Sequence, residues 1–285
     1  MATRSLAIGD TEIIAFADAV PEPVSPSWSF PDVPPEAWPG HAEGSLDEAG
    51  CFRPNLGCFV VRSPDRTLLV DMGIGPGPNA YLEGIGGRLP DLLAEAGLGF
   101  ADISGVIFTH LHMDHVGWAT TAGPDGGSRV SCPDVPHYVA ARELAWWQDA
   151  SSAARPHHRM AYDACIAPVL DAGLMRPIDG DQAFLPGVRY LATPGHTPGH
   201  SSVVIDTGQE SLVITGDVFH CPAQVARPDW SHRADHDRDT ARTSRETFID
   251  TAAARRWLLA ASHFRDGWTF GRIAATASGH RFDRA

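Results

Sequence analysis

No lysine occurs anywhere in the 285 residues, so all 22 basic side chains are arginine. This excludes a Schiff-base lysine and the phosphate-binding lysine of a P-loop. Cysteine is scarce as well: Cys51, Cys58, Cys132, Cys165 and Cys221 are five in number, and no two have C-x-x-C spacing. An odd count without close pairs points to neither a disulfide framework nor a zinc knuckle, so the expected setting is reduced and cytoplasmic. Long apolar runs are missing too. No stretch approaches the length of a membrane span, and Met1-Ala2-Thr3-Arg4-Ser5 does not open a signal peptide, so no membrane partner is expected. Positive charge is outweighed: 35 acidic against 22 basic residues leave a net charge of −13. An acidic chain is a poor partner for nucleic acid, and part of its negative charge is expected around bound cations.

What the chain does have is an ordinary globular composition, 43% hydrophobic and 20% charged, and 14 histidines. Short strands are predicted within Ser5–Ala17, around the turn Gly9-Asp10, and at Cys58–Val61 and Thr67–Val70. Further strands are predicted at Val106–Phe108, Val188–Ala192, Ser202–Ile205, Leu212–Ile214 and Arg256–Ala261. Helices are predicted at Asp91–Ala96, Arg142–Asp149, Arg159–Ala172 and Thr243–Ala254. Their alternation, with no long linker, suggests one α/β domain over residues 1–285. The Pro-rich stretch Val20–Gly40 carries Trp28, Phe30 and Trp38 and reads as an arm spanning about residues 20–50. It is read first as a surface arm, or else as a cover over a site or a contact for a homodimer.

The histidines are not scattered evenly. His110, His112 and His115, with Asp114 among them, follow the predicted buried strand Val106–Phe108 within one tight turn. Neutral imidazole and carboxylate suit zinc and similar divalent ions, and alternation along the turn can serve two ions from one segment.

The run Thr109-His110-Leu111-His112-Met113-Asp114-His115 resembles the H-x-H-x-D-H motif of the metallo-β-lactamase superfamily. Four more motifs follow the family order: Val70-Asp71-Met72-Gly73, the run from Thr193 to His200, Thr215-Gly216-Asp217 and Ala261-Ser262-His263-Phe264. The resemblance implies an αββα four-layer sandwich and two divalent metal ions, zinc being the first expectation. It assigns His110, His112 and His196 to one ion and Asp114, His115 and His263 to the other, with Asp217 bridging both. Asp71 would support the metal loop from behind. A water between such ions becomes hydroxide near neutral pH, and Asp114 would orient it and carry a proton to the leaving group.

His200 is expected to pack or hydrogen-bond behind the ligands rather than ligate. His220 stands three residues after Asp217, where many lactonase relatives carry a tyrosine that meets the substrate carbonyl. A catalytic or a structural role is open for it. Cys221 reads as a packed small residue, and His137, His157, His158, His232, His236 and His280 as solvated or capping residues. Substrate-pocket walls are expected from Leu82, Ile85, Trp118, Trp147, Phe219 and Phe264, with Tyr81 and Trp146 nearby. About half of these aromatics are expected to be core instead.

A mostly apolar wall suits a small hydrophobic substrate. The lack of an anion clamp speaks against a β-lactamase or a nuclease, and the extra basic residues of a glutathione thioesterase are not found. The stretch Gln224–Trp230, the acidic run Asp235–Asp239 and the segment from Arg242 to Arg245 resemble the lactonase and methyl-parathion-hydrolase-like branch. Hydrolysis of acyl-homoserine or aryl lactones, or of related esters, is the first expectation. Aryl phosphotriester hydrolysis is the alternative, followed by an iron persulfide dioxygenase and a non-catalytic metal-binding protein.

Overall fold

In the computed structural model, residues 3–79, 84–123, 127–149, 155–277 and 279–285 are described. Contacts group the chain into two units, Met1–Ala19 with Leu56–Gly180 and Val20–Asn55 with Asp181–Ala285.

The first unit holds a seven-stranded sheet of β1 (Arg4–Ile8), β2 (Thr11–Ala19), β3 (Leu56–Ser63), β4 (Arg66–Val70), β5 (Gly105–Ile107), β8 (His137–Ala140) and β9 (Met175–Ile178). β1 pairs with β2, and β3 with β4, antiparallel through tight turns, and β2 also pairs antiparallel with β3 although residues 20–55 separate them in sequence. β4, β5, β8 and β9 pair in parallel, which requires crossovers. One of these contains the helix Leu89–Glu95, whose Leu89, Leu92 and Leu93 are buried and which gives way to Gly97 at φ 72°. Another contains Pro156–Ala161, the π-helical Tyr162–Ile166 and Ala167–Asp171 in succession, where one continuous helix was predicted. β6 (Thr120–Ala122) and β7 (Ser128–Val130) form a separate ribbon.

The second unit carries β10 (Ala183–Leu185), β11 (Val188–Ala192), β12 (Ser201–Asp206), β13 (Ser211–Ile214), β14 (Leu258–Ala260), β15 (Phe270–Thr276) and β16 (Gly279–Arg284) in sequential order. Among the described residues of this unit only β13 and β14 pair in parallel, joined through the helix Arg238–Arg255. That helix begins five residues before the predicted Thr243, because Asp237 caps it by accepting from the Thr240 amide at 3.0 Å. It ends at Arg256 in the left-handed region, so the predicted strand Arg256–Ala261 shortens to Leu258–Ala260.

The Pro-rich stretch departs from the surface-arm reading. Phe30 and Trp38 are buried with Phe52, Cys221 and Trp230, and their rings meet edge-on or tilted at 4.7–5.4 Å. Proline prevented a regular periodicity there without preventing burial. Trp28 alone stays outside, 54% exposed, with the Arg233 guanidinium 3.9 Å from its ring centroid. Cys221 is packed as expected, and burial pushes its thiol up to about 11, so it is no nucleophile at neutral pH.

Candidate metal centre

In each unit most candidate ligands follow the C-terminal ends of the parallel strands, His196 being the exception in the connection between the antiparallel β11 and β12. Such strand ends are where open α/β sheets place their sites, because the strand-end loops diverge there.

In the first unit Asp71 follows β4 and His110 lies three residues beyond the end of β5. Asp71 adopts φ 58°, a conformation that costs a non-glycine residue energy and is held here by its own hydrogen bonds. Its buried carboxylate accepts from the Thr109 amide, the Thr109 hydroxyl and His115 Nδ1, each at 2.8 Å. The His115 ring is therefore oriented with Nε2 forward, 3.6 Å from Asp114 Oδ2. His110 Nε2 and His112 Nδ1 approach to 3.0 Å, and the His110 and His115 rings lie 4.0 Å apart. A second carboxylate was missed from the sequence. Glu143, wholly buried on the helix Ala141–Gln148, accepts from the Leu111 amide at 3.1 Å and from Trp147 Nε1 at 2.7 Å. It thus pins the residue between His110 and His112.

Asp18 plays a similar part on the other side. It accepts from the amides of Ile74, Arg88 and Leu89 at 2.6–2.8 Å and from Trp118 Nε1 at 3.1 Å. Burial raises its carboxyl above the ordinary range, while these donors pull it down.

In the second unit three imidazoles surround one carboxylate oxygen. Asp217 Oδ2 lies 2.9 Å from His263 Nε2, 3.2 Å from His196 Nε2 and 3.4 Å from His220 Nε2. His196, Asp217 and His220 offer ligand atoms within 4.8 Å of one another. A buried carboxylate ringed by nitrogen donors fits a divalent cation by chemistry and spacing. The rings differ in what stands behind them. His263 Nδ1 meets the Asn55 carbonyl at 2.6 Å and His196 Nδ1 meets Asp235 at 3.1 Å. Ligating histidines regularly have such a partner. His220 Nδ1 has none among the described residues, and its ring stacks between His232 at 3.8 Å and His263 at 5.1 Å. Burial pushes His220 down to about 4 against the pull of Asp217, so the ring is neutral at pH 7.

His200 does not reach forward. Its Nε2 accepts from the Asp217 amide at 2.8 Å, and its Nδ1 faces Thr193, so it supports the carboxylate from behind.

Several expectations need correcting. Phe219 packs on Phe248, and Phe264 on Phe282, inside the core of the second unit, although Phe264 directly follows His263 and Phe219 stands two residues after Asp217. Trp118 is core in the first unit with its indole N–H spent on Asp18, and Ile85 packs on a small cluster of Ala19, Leu56 and Ile74. Trp147 is buried, with its ring 5.9 Å from that of His112. Tyr81 and Leu82 lie outside the described residues. His137 and His158 are buried rather than solvated, and His158 lies 4.6 Å from the Trp147 ring and 5.5 Å from that of His112.

The pattern of the Metallo-beta-lactamase superfamily matches residues 58–263. An N-acyl homoserine lactonase from Bacillus sp is 28% identical over 172 residues, covering 55% of this chain and 60% of that protein. The probable metallo-hydrolase YflN of Bacillus subtilis (strain 168) is 30% identical over 131 residues, covering 42% and 46%. The chain thus spans at most about 60% of the length of these two relatives. Two solved structures share the fold over nearly the whole chain. One is the hydrolase AbOPH of the beta lactamase superfamily, with TM-score 0.84 and 24% identity over 99% of this chain and 97% of that one. The other is AidC, described as a dizinc quorum-quenching lactonase, with TM-score 0.82 and 20% identity over the same shares. Ligand-bearing loops, sheets and matched residues agree, and the chain belongs to the metallo-β-lactamase superfamily.

Proposed function

We propose that the protein is a dinuclear metal-dependent hydrolase acting on lactones or related hydrophobic esters, with zinc as its metal. The observation that carries this reading is the convergence of His196, His220 and His263 on one oxygen of Asp217. His110, His112 and His196 would hold one ion, Asp114, His115 and His263 the other, and Asp217 would be shared. The bound ions would supply Lewis acidity, making a water nucleophilic near neutral pH and polarising the substrate carbonyl.

The remaining steps belong to the chain's own groups. Asp114 is half-buried, which leaves its carboxylate able to take a proton and pass it to the leaving alkoxide. His220 is neutral and aimed forward through Nε2, so it can donate a hydrogen bond to the oxygen on which charge develops. Its bare Nδ1 speaks for that role over ligation.

A panel of acyl-homoserine lactones, aryl lactones, esters and aryl phosphotriesters tests the reading with the metal-loaded protein. Base consumption with a ring-opened acid is expected. Phenol release from phosphotriesters with inert lactones would move the assignment to a phosphotriesterase.

A further inference from the structure

Behind His196 stands a buried ion pair that none of the ligand motifs contains. Asp235 Oδ1 lies 3.1 Å from His196 Nδ1, while its Oδ2 accepts from Arg245 Nη1 and from the His232 amide, each at 3.1 Å. Arg245 is only 1% exposed, and its remaining nitrogens are spent on the Pro228 carbonyl at 2.9 Å and the Ser231 hydroxyl at 3.1 Å. The neighbouring backbone is zipped to the same loop: the His236 amide donates to the His196 carbonyl and the Asp237 amide to that of Gly195. Gly195 sits at φ 128°, where a Cβ would fall 2.1 Å from the Ala241 nitrogen, so the loop is seated hard against the helix Arg238–Arg255.

We propose that Asp235, held by Arg245, is a positioning residue that fixes His196 as its Nδ1–H tautomer and leaves the Nε2 lone pair for the metal. The inference rests on the reading of His196 as a ligand. Arginine and a backbone amide can only donate, so Oδ2 is committed to them. An ionised carboxylate can only accept, so the ring nitrogen facing Oδ1 must carry the hydrogen. Asparagine has the same shape but a single acceptor oxygen. Arg245 and the His232 amide would claim that oxygen and turn the NH2 group toward His196. The ring would then have to accept at Nδ1 and carry its hydrogen on Nε2, where the metal should bind.

The test is Asp235→Asn, read by zinc competition against a chromophoric chelator and by nitrogen-15 NMR of the histidine rings in the metal-free full chain. The expected result is a parent with His196 protonated on Nδ1 and a variant protonated on Nε2. The variant should bind one of its ions about 10–100-fold more weakly, the usual effect of losing such a partner. The parent spectrum alone keeps the proposal open to refutation if the variant folds poorly, since an Nε2–H tautomer there would overturn it. Undiminished zinc binding by a folded variant would overturn it as well, while leaving the ligand reading intact. A parent that binds no zinc would instead remove the ligand reading, and this inference with it.

Discussion

The Asp217 amide donates to His200 Nε2 at 2.8 Å, so a histidine four residues from one candidate ligand fixes the backbone of another. Replacing it by phenylalanine keeps the ring volume and strands a buried N–H, at a cost of about 1–3 kcal/mol. His200→Phe should lower the unfolding free energy of the metal-free chain by that amount and reduce metal content. Denaturant titration and metal analysis check both, and an unchanged variant would make the contact incidental.

Glu143 is expected to matter through two donors at once. Glu143→Ala orphans the Leu111 amide and the Trp147 indole, which should destabilise the chain by about 3 kcal/mol or more. Because Leu111 lies between His110 and His112, metal affinity should fall with stability in the same variant.

His220→Ala should retain the parent's metal content while kcat drops by about 100-fold, the scale of losing one donor to a developing oxyanion. Loss of metal from the variant would instead make His220 a ligand, and unchanged kcat with full metal content would make it structural.

His137 gives a pH dependence. Burial pushes it down to about 4 from 6.5, with the Val135 carbonyl partly offsetting that. The folded state holds the ring neutral, so its full contribution is present above pH 6.5 and is lost as pH falls toward 4, up to about 3 kcal/mol. Urea unfolding of the metal-free chain at pH 7.5 and 4.5 measures this loss, and His137→Leu should shrink it. An identical pH slope in both proteins would refute the assignment.

The candidate ligand motifs could be picked out because each is a few residues long and they stand in the order of the family that the chain resembles, whereas only the run from His110 to His115 could be read from its spacing. Asp71 and His200 were legible for the same reason. Glu143 and Asp235 were not, because they act across 32 and 39 residues of chain that carry no periodic signal linking them to their partners. The Pro-rich stretch hid a buried aromatic cluster because its side chains pack without a helical or strand repeat. β9 escaped prediction because Pro177 lies within it, which an edge strand tolerates. Phe264 shows the limit of adjacency: a residue next to a candidate ligand in sequence commonly points the opposite way.

The central claim is that one set of seven side chains holds two ions through Asp217. Metal quantification per chain, on the parent and on Asp217→Ala, tests it most directly. Two divalent ions in the parent and at most one in the variant are predicted. A single iron in the parent, or two ions retained without Asp217, would contradict the account.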